Sequence, residues 1–185
     1  MRHEPDAIAR RQLKHFAAFW LITIACAGCD LQTKAWAKDA VTATPSGVIS
    51  LIEPHVDIVL TYNRGTAFSI VRDLGSARVV FGVFALLVVI LLAWMQYRSE
   101  PQGWQTLALG TLAGGAIGNG YDRVFRVMPD GGTGVVDFVR INYPWGGSWP
   151  AFNVADALLV VGVAAILLAW RSGDPQAADL NQPTK

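Results

Sequence analysis

Charge is scarce in this chain. Of 185 residues, 16% are Asp, Glu, Lys or Arg, and the net charge is +1. A soluble domain carries about 25% charged residues, so a wholly soluble protein is a poor reading. The balanced charge offers no basic footprint, which excludes nucleic acid as a partner. Histidine is rarer still: His3, His15 and His55 lie far apart, and no Ser–His or Cys–His pair emerges. The two cysteines, Cys26 and Cys29, form a C-x-x-C within an apolar stretch. Zinc needs four ligands and no second pair exists, so no metal or other cofactor is expected. Both read as small helix-packing residues.

What is abundant is apolar: 52% of the residues are hydrophobic. Val79–Tyr97 and Pro101–Tyr121 contain no charge, and Phe152–Trp170 contains only Asp156. About 20 apolar residues cross a bilayer as a helix, because every backbone polar group must pair where water is absent. The first apolar stretch, Phe16–Cys29, is short. It reaches spanning length if the helix runs on through Asp30 and Lys34, which at i and i+4 share one face and can pair. The sequence therefore predicts an α-helical integral membrane protein with four transmembrane helices, over approximately 16–36, 78–97, 103–122 and 151–170. It forms a single membrane domain over 1–185, with a disordered polar tail at 172–185.

The same first stretch imitates a lipoprotein leader. Arg10, Arg11 and Lys14 precede an apolar run, which ends in Gly28–Cys29. A processed lipoprotein would continue into a soluble domain, however, and this chain continues into more membrane. The basic cluster before the first span favours a cytoplasmic N-terminus, and four spans return the C-terminus to that side.

That topology brings Asp30, Asp122, Asp137 and Asp156 to the outer face. Ionisable groups at membrane depth are costly and mark function, although Asn153 and Asp156, just after Pro150, also suit a helix start. Between the first two spans, approximately 40–75, "HVDIVLTYN" alternates as a half-buried strand does, and "GVISLIEP" is a second strand. A small extracytoplasmic β-sheet between spans 1 and 2 is expected, with Gly65 at a turn. Asn63 would then hang over the acids as part of a cover. Two carboxyls brought together share a proton. The ionised one can activate water, and the protonated one can polarise a carbonyl and feed the leaving amine. "GVVDF" and "FNVAD" offer such a pair, though sequence alone does not join them.

Five motifs then appear in order over residues 16–170: Asp30-x-x-Thr33-Lys34, "YNRGTAFS" (62–69), "GGAIGNGYDR" (114–123), "GVVDF" (134–138) and "AFNVAD" (151–156). In this the chain resembles the signal peptidase II family, the prolipoprotein signal peptidases. The resemblance implies an aspartyl endopeptidase of the bacterial cytoplasmic (inner) membrane. It would remove signal peptides from diacylglyceryl-modified prolipoproteins by cutting before the lipidated cysteine, with its active site toward the outer face. It puts the catalytic pair on Asp137 and Asp156, substrate positioners on Asn63, Asn119, Arg123 and Asn153, and structural roles on Asp30, Lys34 and Asp122. Membrane lipids are expected partners, and the chain is expected to be a monomer. The resemblance also turns "CAGC" into the end of a retained span. The linker "VFRVMPDGGTGVV" is longer than in the family, and Asp130 with its glycines suggests an extra turn. The alternative from another class is a small polytopic transporter subunit with an acid-lined outer cavity, though its acids would sit near mid-span.

Overall fold

The computed structural model describes residues 4–65, 77–100 and 102–171. The sequence-expected disordered tail, 172–185, lies outside them. Among these residues four helices dominate: α1 (Glu4–Ala43), α2 (Ala77–Arg98), α3 (Gly103–Phe125) and α4 (Val154–Arg171). Three strands, β1 (Ile49–Ile52), β2 (Val56–Asn63) and β3 (Val135–Ile141), form one antiparallel sheet in the order β1-β2-β3. Among the described residues, two helical stretches suit a membrane crossing by length and composition, Ala7–Ala43 and Arg78–Arg98.

α3 is the central helix. It packs on α1, α2 and α4, and its buried face is mostly Ala, Gly and Thr, with Leu109, Leu112 and Asp122. Gly110, Gly114 and Gly118 recur every four residues and form a groove for α1. A Cβ on Gly110 would stand 2.9 Å from Ile22, one on Gly114 would strike Cys26, and one on Gly118 would strike the Asp30 carboxylate. Small residues let helices approach where no hydrophobic effect drives them together. This explains why α3 is less apolar than α2: its surroundings are protein. α2 turns Phe84, Leu87 and Trp94 outward instead.

α1 departs from the expected first span. It runs for 40 residues without a break, through Gly28 and Cys29. It ends only before Pro45, where the pre-proline residue disfavours helix and Gly47, at φ 65°, completes the turn. The outer segment, expected from about residue 40, therefore begins after Ala43. The extension of α1 is the floor on which the sheet rests: Ala37 and Val41 pack against Ile58, Val136 and Phe138.

The sheet also differs from expectation. It draws its third strand, β3, from the connection between α3 and α4, so it does not belong only to the segment between α1 and α2. β2 pairs with β3 from Val56↔Ile141 to Asn63↔Val135. The alternation expected of β2 holds over Leu60–Asn63, but Asp57, Ile58 and Val59 are all buried. Asp57 is drawn inside by Arg140 Nη2 at 2.8 Å and Asn142 Nδ2 at 2.7 Å. These donors hold its carboxyl below the usual range.

Candidate active site

Register, capping and helix packing together converge the polar side chains. The β2–β3 pairing sets Thr61 opposite Asp137, which places the end of β2, and hence Asn63, beside that carboxyl. α4 begins with a reciprocal cap: Asp156 N–H donates to Asn153 Oδ1 at 3.0 Å, and Asn153 N–H donates to Asp156 Oδ2 at 3.2 Å. The side-chain amide of Asn153 is left to point at β3. Its Nδ2 donates to Asp137 Oδ1 at 2.7 Å and to the Val136 carbonyl at 3.3 Å. From α3, Asn119 Nδ2 donates to Asp156 Oδ1 at 2.8 Å. Asn153 Nδ2 also reaches Asn119 Oδ1 at 3.2 Å. Asp137 and Asp156, from different elements, are thus joined through Asn153, with Asn119 behind Asp156.

A second polar cluster lies beside this one. Lys34 Nζ meets Asp30 Oδ2 at 2.6 Å and Asp122 Oδ2 at 3.1 Å, with all three side chains fully buried. Arg126 Nε closes on Asp122 Oδ1 at 2.5 Å. Asp30 Oδ1 accepts the Ala155 amide at 2.8 Å, and Asp122 Oδ2 accepts the Val136 amide at 3.3 Å. Each acid therefore ties its helix to an element of the first cluster.

The electrostatics of the clusters differ. Among the described residues, neither Asp137 nor Asp156 forms an ion pair. Burial pushes the Asp137 carboxyl up to about 6; hydrogen bonds from Asn63 and Asn153 oppose this, and the nearby Asp156 charge adds to it. Arg123 lies within electrostatic reach of Asp137 and Asp156, and its guanidinium stands 4.5 Å over the Phe81 ring. Gly65, at φ 76°, lets the chain pass there, since a Cβ would meet Arg123 Nη1 at 2.8 Å. A cavity of about 370 Å³ opens between α2, α3 and α4, with apolar walls from Phe81, Phe84, Val88 and Leu159. Asn119 and Arg123 supply its polar lining.

All nine residues singled out from the sequence lie in these two clusters or on the cavity. Asn63 itself is exposed, its Oδ1 accepting the Gly65 amide at 2.8 Å. Residues 66–69 of its motif fall outside the described residues. The longer linker folds back on itself through a Val127↔Thr133 bridge, and its Asp130 pairs with Arg64. Two partners were missed. Arg126 was legible from its i+4 spacing to Asp122, whereas the Ala155 amide, used through its backbone, carries no side-chain signal.

Helices apolar enough for a bilayer, with carboxylates at one end of the bundle beside an apolar cavity, define a small membrane enzyme. The fold agrees. The chain matches a bacterial membrane enzyme solved by the in meso method at 2.3 Å resolution, with TM-score 0.69 and 25% identity over 91% of this chain and 95% of that one. A second, solved at 1.9 Å, gives TM-score 0.67 and 27% identity over 83% and 92%. The signal peptidase (SPase) II family matches residues 22–171. The lipoprotein signal peptidase of Pseudomonas syringae pv. tomato is 34% identical over 89% of this chain and 91% of its own length. That of Polynucleobacter necessarius is 36% identical over 74% and 78%. The chain belongs to the signal peptidase II family of membrane peptidases, and the transporter reading is not favoured.

Proposed function

We propose that this protein cleaves signal peptides from diacylglyceryl-modified prolipoproteins, before the lipidated cysteine, using Asp137 and Asp156 as an aspartyl pair. Removal of signal peptides from prolipoproteins follows from the family. The aspartyl chemistry rests on one observation: two carboxyls held by one asparagine, Asp137 by the side-chain amide of Asn153 and Asp156 by its backbone N–H, neither in an ion pair among the described residues, beside an apolar cavity. One acid, ionised, takes a proton from water as the water oxygen adds to the peptide carbonyl carbon. The other, protonated, gives its proton to the carbonyl oxygen. The tetrahedral intermediate then collapses: the acid that took the proton from water gives it to the leaving nitrogen as the C–N bond breaks, and the other takes back a hydroxyl proton as the carbonyl re-forms. Asn63, Asn119, Arg123 and Asn153 offer donors and acceptors to an extended peptide, Arg123 as a planar fork. No nucleic acid is involved.

Four spans remain the reading of the topology. From Ala9, which shares a pocket with Ser99 at the end of α2, to Asp30, which meets the first turn of α4, α1 passes through 21 steps. At about 1.5 Å per residue this is roughly 30 Å, the thickness of a bilayer core. With α2, α3 and α4 beside it, both termini are cytoplasmic and the carboxylates face outward, in a bacterial cytoplasmic membrane. The acyl chains of the substrate stay in the lipid while the scissile bond reaches the acids, an arrangement that supplies orientation. Membrane lipids are then partners, and one monomer holds the whole site.

A cleavage assay in detergent tests this reading, comparing lipidated with unlipidated precursor. Cleavage of the lipidated form alone, unaffected by EDTA, is the expected result. Equal rates on both substrates would remove the lipid from the mechanism, and strong chelator sensitivity would replace the aspartyl pair with a metal.

A further inference from the structure

Lys34 is fully buried and lies outside the carboxyl pair, yet one of its contacts enters the site. An ammonium has three donors and no acceptor. Two go to Asp30 Oδ2 at 2.6 Å and Asp122 Oδ2 at 3.1 Å. The third goes to Asn119 Oδ1 at 2.9 Å. Because Lys34 can only donate, the Asn119 atom that faces it must be the carbonyl oxygen, and the second donor into that oxygen, Asn153 Nδ2 at 3.2 Å, enforces the same choice. Asn119 Nδ2 is thereby turned onto Asp156 Oδ1 at 2.8 Å.

The consequence falls on Asp156. Its Oδ1 accepts from Asn119, and its Oδ2 accepts the Asn153 amide at 3.2 Å. Both N–H groups bond the charged form more strongly than the neutral one, so this arrangement favours the carboxylate over the acid. The first turn of α4 adds its positive field. Asp137 is served less rigidly. Asn153 Nδ2 holds its Oδ1 at 2.7 Å, while its other donor, Asn63, comes from an exposed strand end.

We propose that Lys34 is a positioning residue for the peptidase reaction: by fixing the Asn119 amide it keeps Asp156 as the ionised, water-activating member of the pair and leaves the proton on Asp137. This rests on the aspartyl reading of the site. The competing view gives Lys34 a structural role only, as counter-charge to Asp30 and Asp122.

The test uses an Asp30→Asn background, in which Lys34→Met restores the balance of charge. Asp30→Asn keeps an oxygen for the Ala155 amide, and adding Lys34→Met then removes one charge of each sign. In that background Lys34→Met and Asn119→Leu are made singly and together, with thermal stability followed in detergent. The expected result is that each lowers kcat by about 10- to 100-fold, the range for loss of a residue that orients a catalytic group, with little change in KM for Lys34→Met and a rise in KM for Asn119→Leu, which also faces the peptide. The acid limb of the kcat–pH profile moves up by about one unit, because a carboxylate with fewer donors keeps its proton longer. Combining the two changes should add nothing further. Multiplying effects, or an unmoved acid limb, would overturn the proposal. Asn119→Leu alone in the native background leaves the three ion pairs of Lys34 and Arg126 in place and reads the same limb if the other variants fail to fold; an unshifted limb there is sufficient refutation. Failure of the aspartyl reading is distinguishable, because it would show as retained activity in Asp137→Asn or Asp156→Asn.

Discussion

Two acid clusters sit side by side at one end of this bundle, and they are solvated differently. Asp30 and Asp122 are surrounded by Lys34, Arg126 and backbone amides, with two positive charges against two negative. Asp137 and Asp156 are surrounded by the amides of Asn63, Asn119 and Asn153. A carboxylate held by a cation is fixed in one protonation state and serves as a joint between helices. A carboxyl held by neutral amides keeps its shape in either state and can exchange a proton. On the proposed reading, what solvates them separates structural from chemical acids, since burial does not: Asp137 is as buried as Asp30 and Asp122, and Asp156 is half-buried.

The sharpest way to break the comparison is to neutralise each kind of acid in turn. Asp137→Asn or Asp156→Asn should lower cleavage by about a thousandfold or more while the folded protein persists, since members of a catalytic unit fail together. Near-normal turnover in either would move the chemistry elsewhere. Asp122→Ala should do the reverse and strike folding first. It leaves Lys34 with Asp30 alone and Arg126 with no acid among the described residues, and breaking a buried pair costs about 3–5 kcal/mol. A thermal midpoint unchanged in detergent would contradict this.

A smaller effect is expected at the rim. Asn63→Ala removes one exposed donor from Asp137, and cleavage should fall by about tenfold, within the range of single positioning contacts, with the helices intact by circular dichroism. A rate equal to that of the native protein would show that Asn63 neither covers the site nor holds the peptide.

The smallest effect tests Asp137 through stability. Its carboxyl titrates near 6 when folded, above its ordinary value of 3.8. The folded state therefore binds this proton more tightly than the unfolded state does, so its contribution is full at low pH and is lost as pH rises through about 6. Asparagine mimics the protonated form. Asp137→Asn should melt about 2–5 °C above the native protein at pH 8 and equal it near pH 4. A variant that melts lower at both pH values would place Asp137 among the structural acids.

Much of the site was legible in the sequence because its residues are punctuated by short motifs at the ends of apolar runs. "FNVAD" carries both halves of the α4 cap, and Asp30 with Lys34 declares its pairing by helical spacing. The third strand was not legible, because "GVVDFVRI" is as apolar and short as a loop beside a span, and its partner lies more than seventy residues away. Nor was the length of α1, since residues 35–43, interrupted by Lys38, Asp39 and Thr42, gave no sign that a sheet would rest on Ala37 and Val41.

By itself the sequence determined the apolar helices, the acids at their ends and the family, because composition and local spacing carry these. Only the tertiary structure decided which acids meet cations and which meet amides. That outcome depends on Gly118 letting Asp30 close on α3, on the β2–β3 register, and on an asparagine amide turned by a lysine 85 residues away in sequence. Charge solvation is a property of neighbours in space, and no local pattern encodes it.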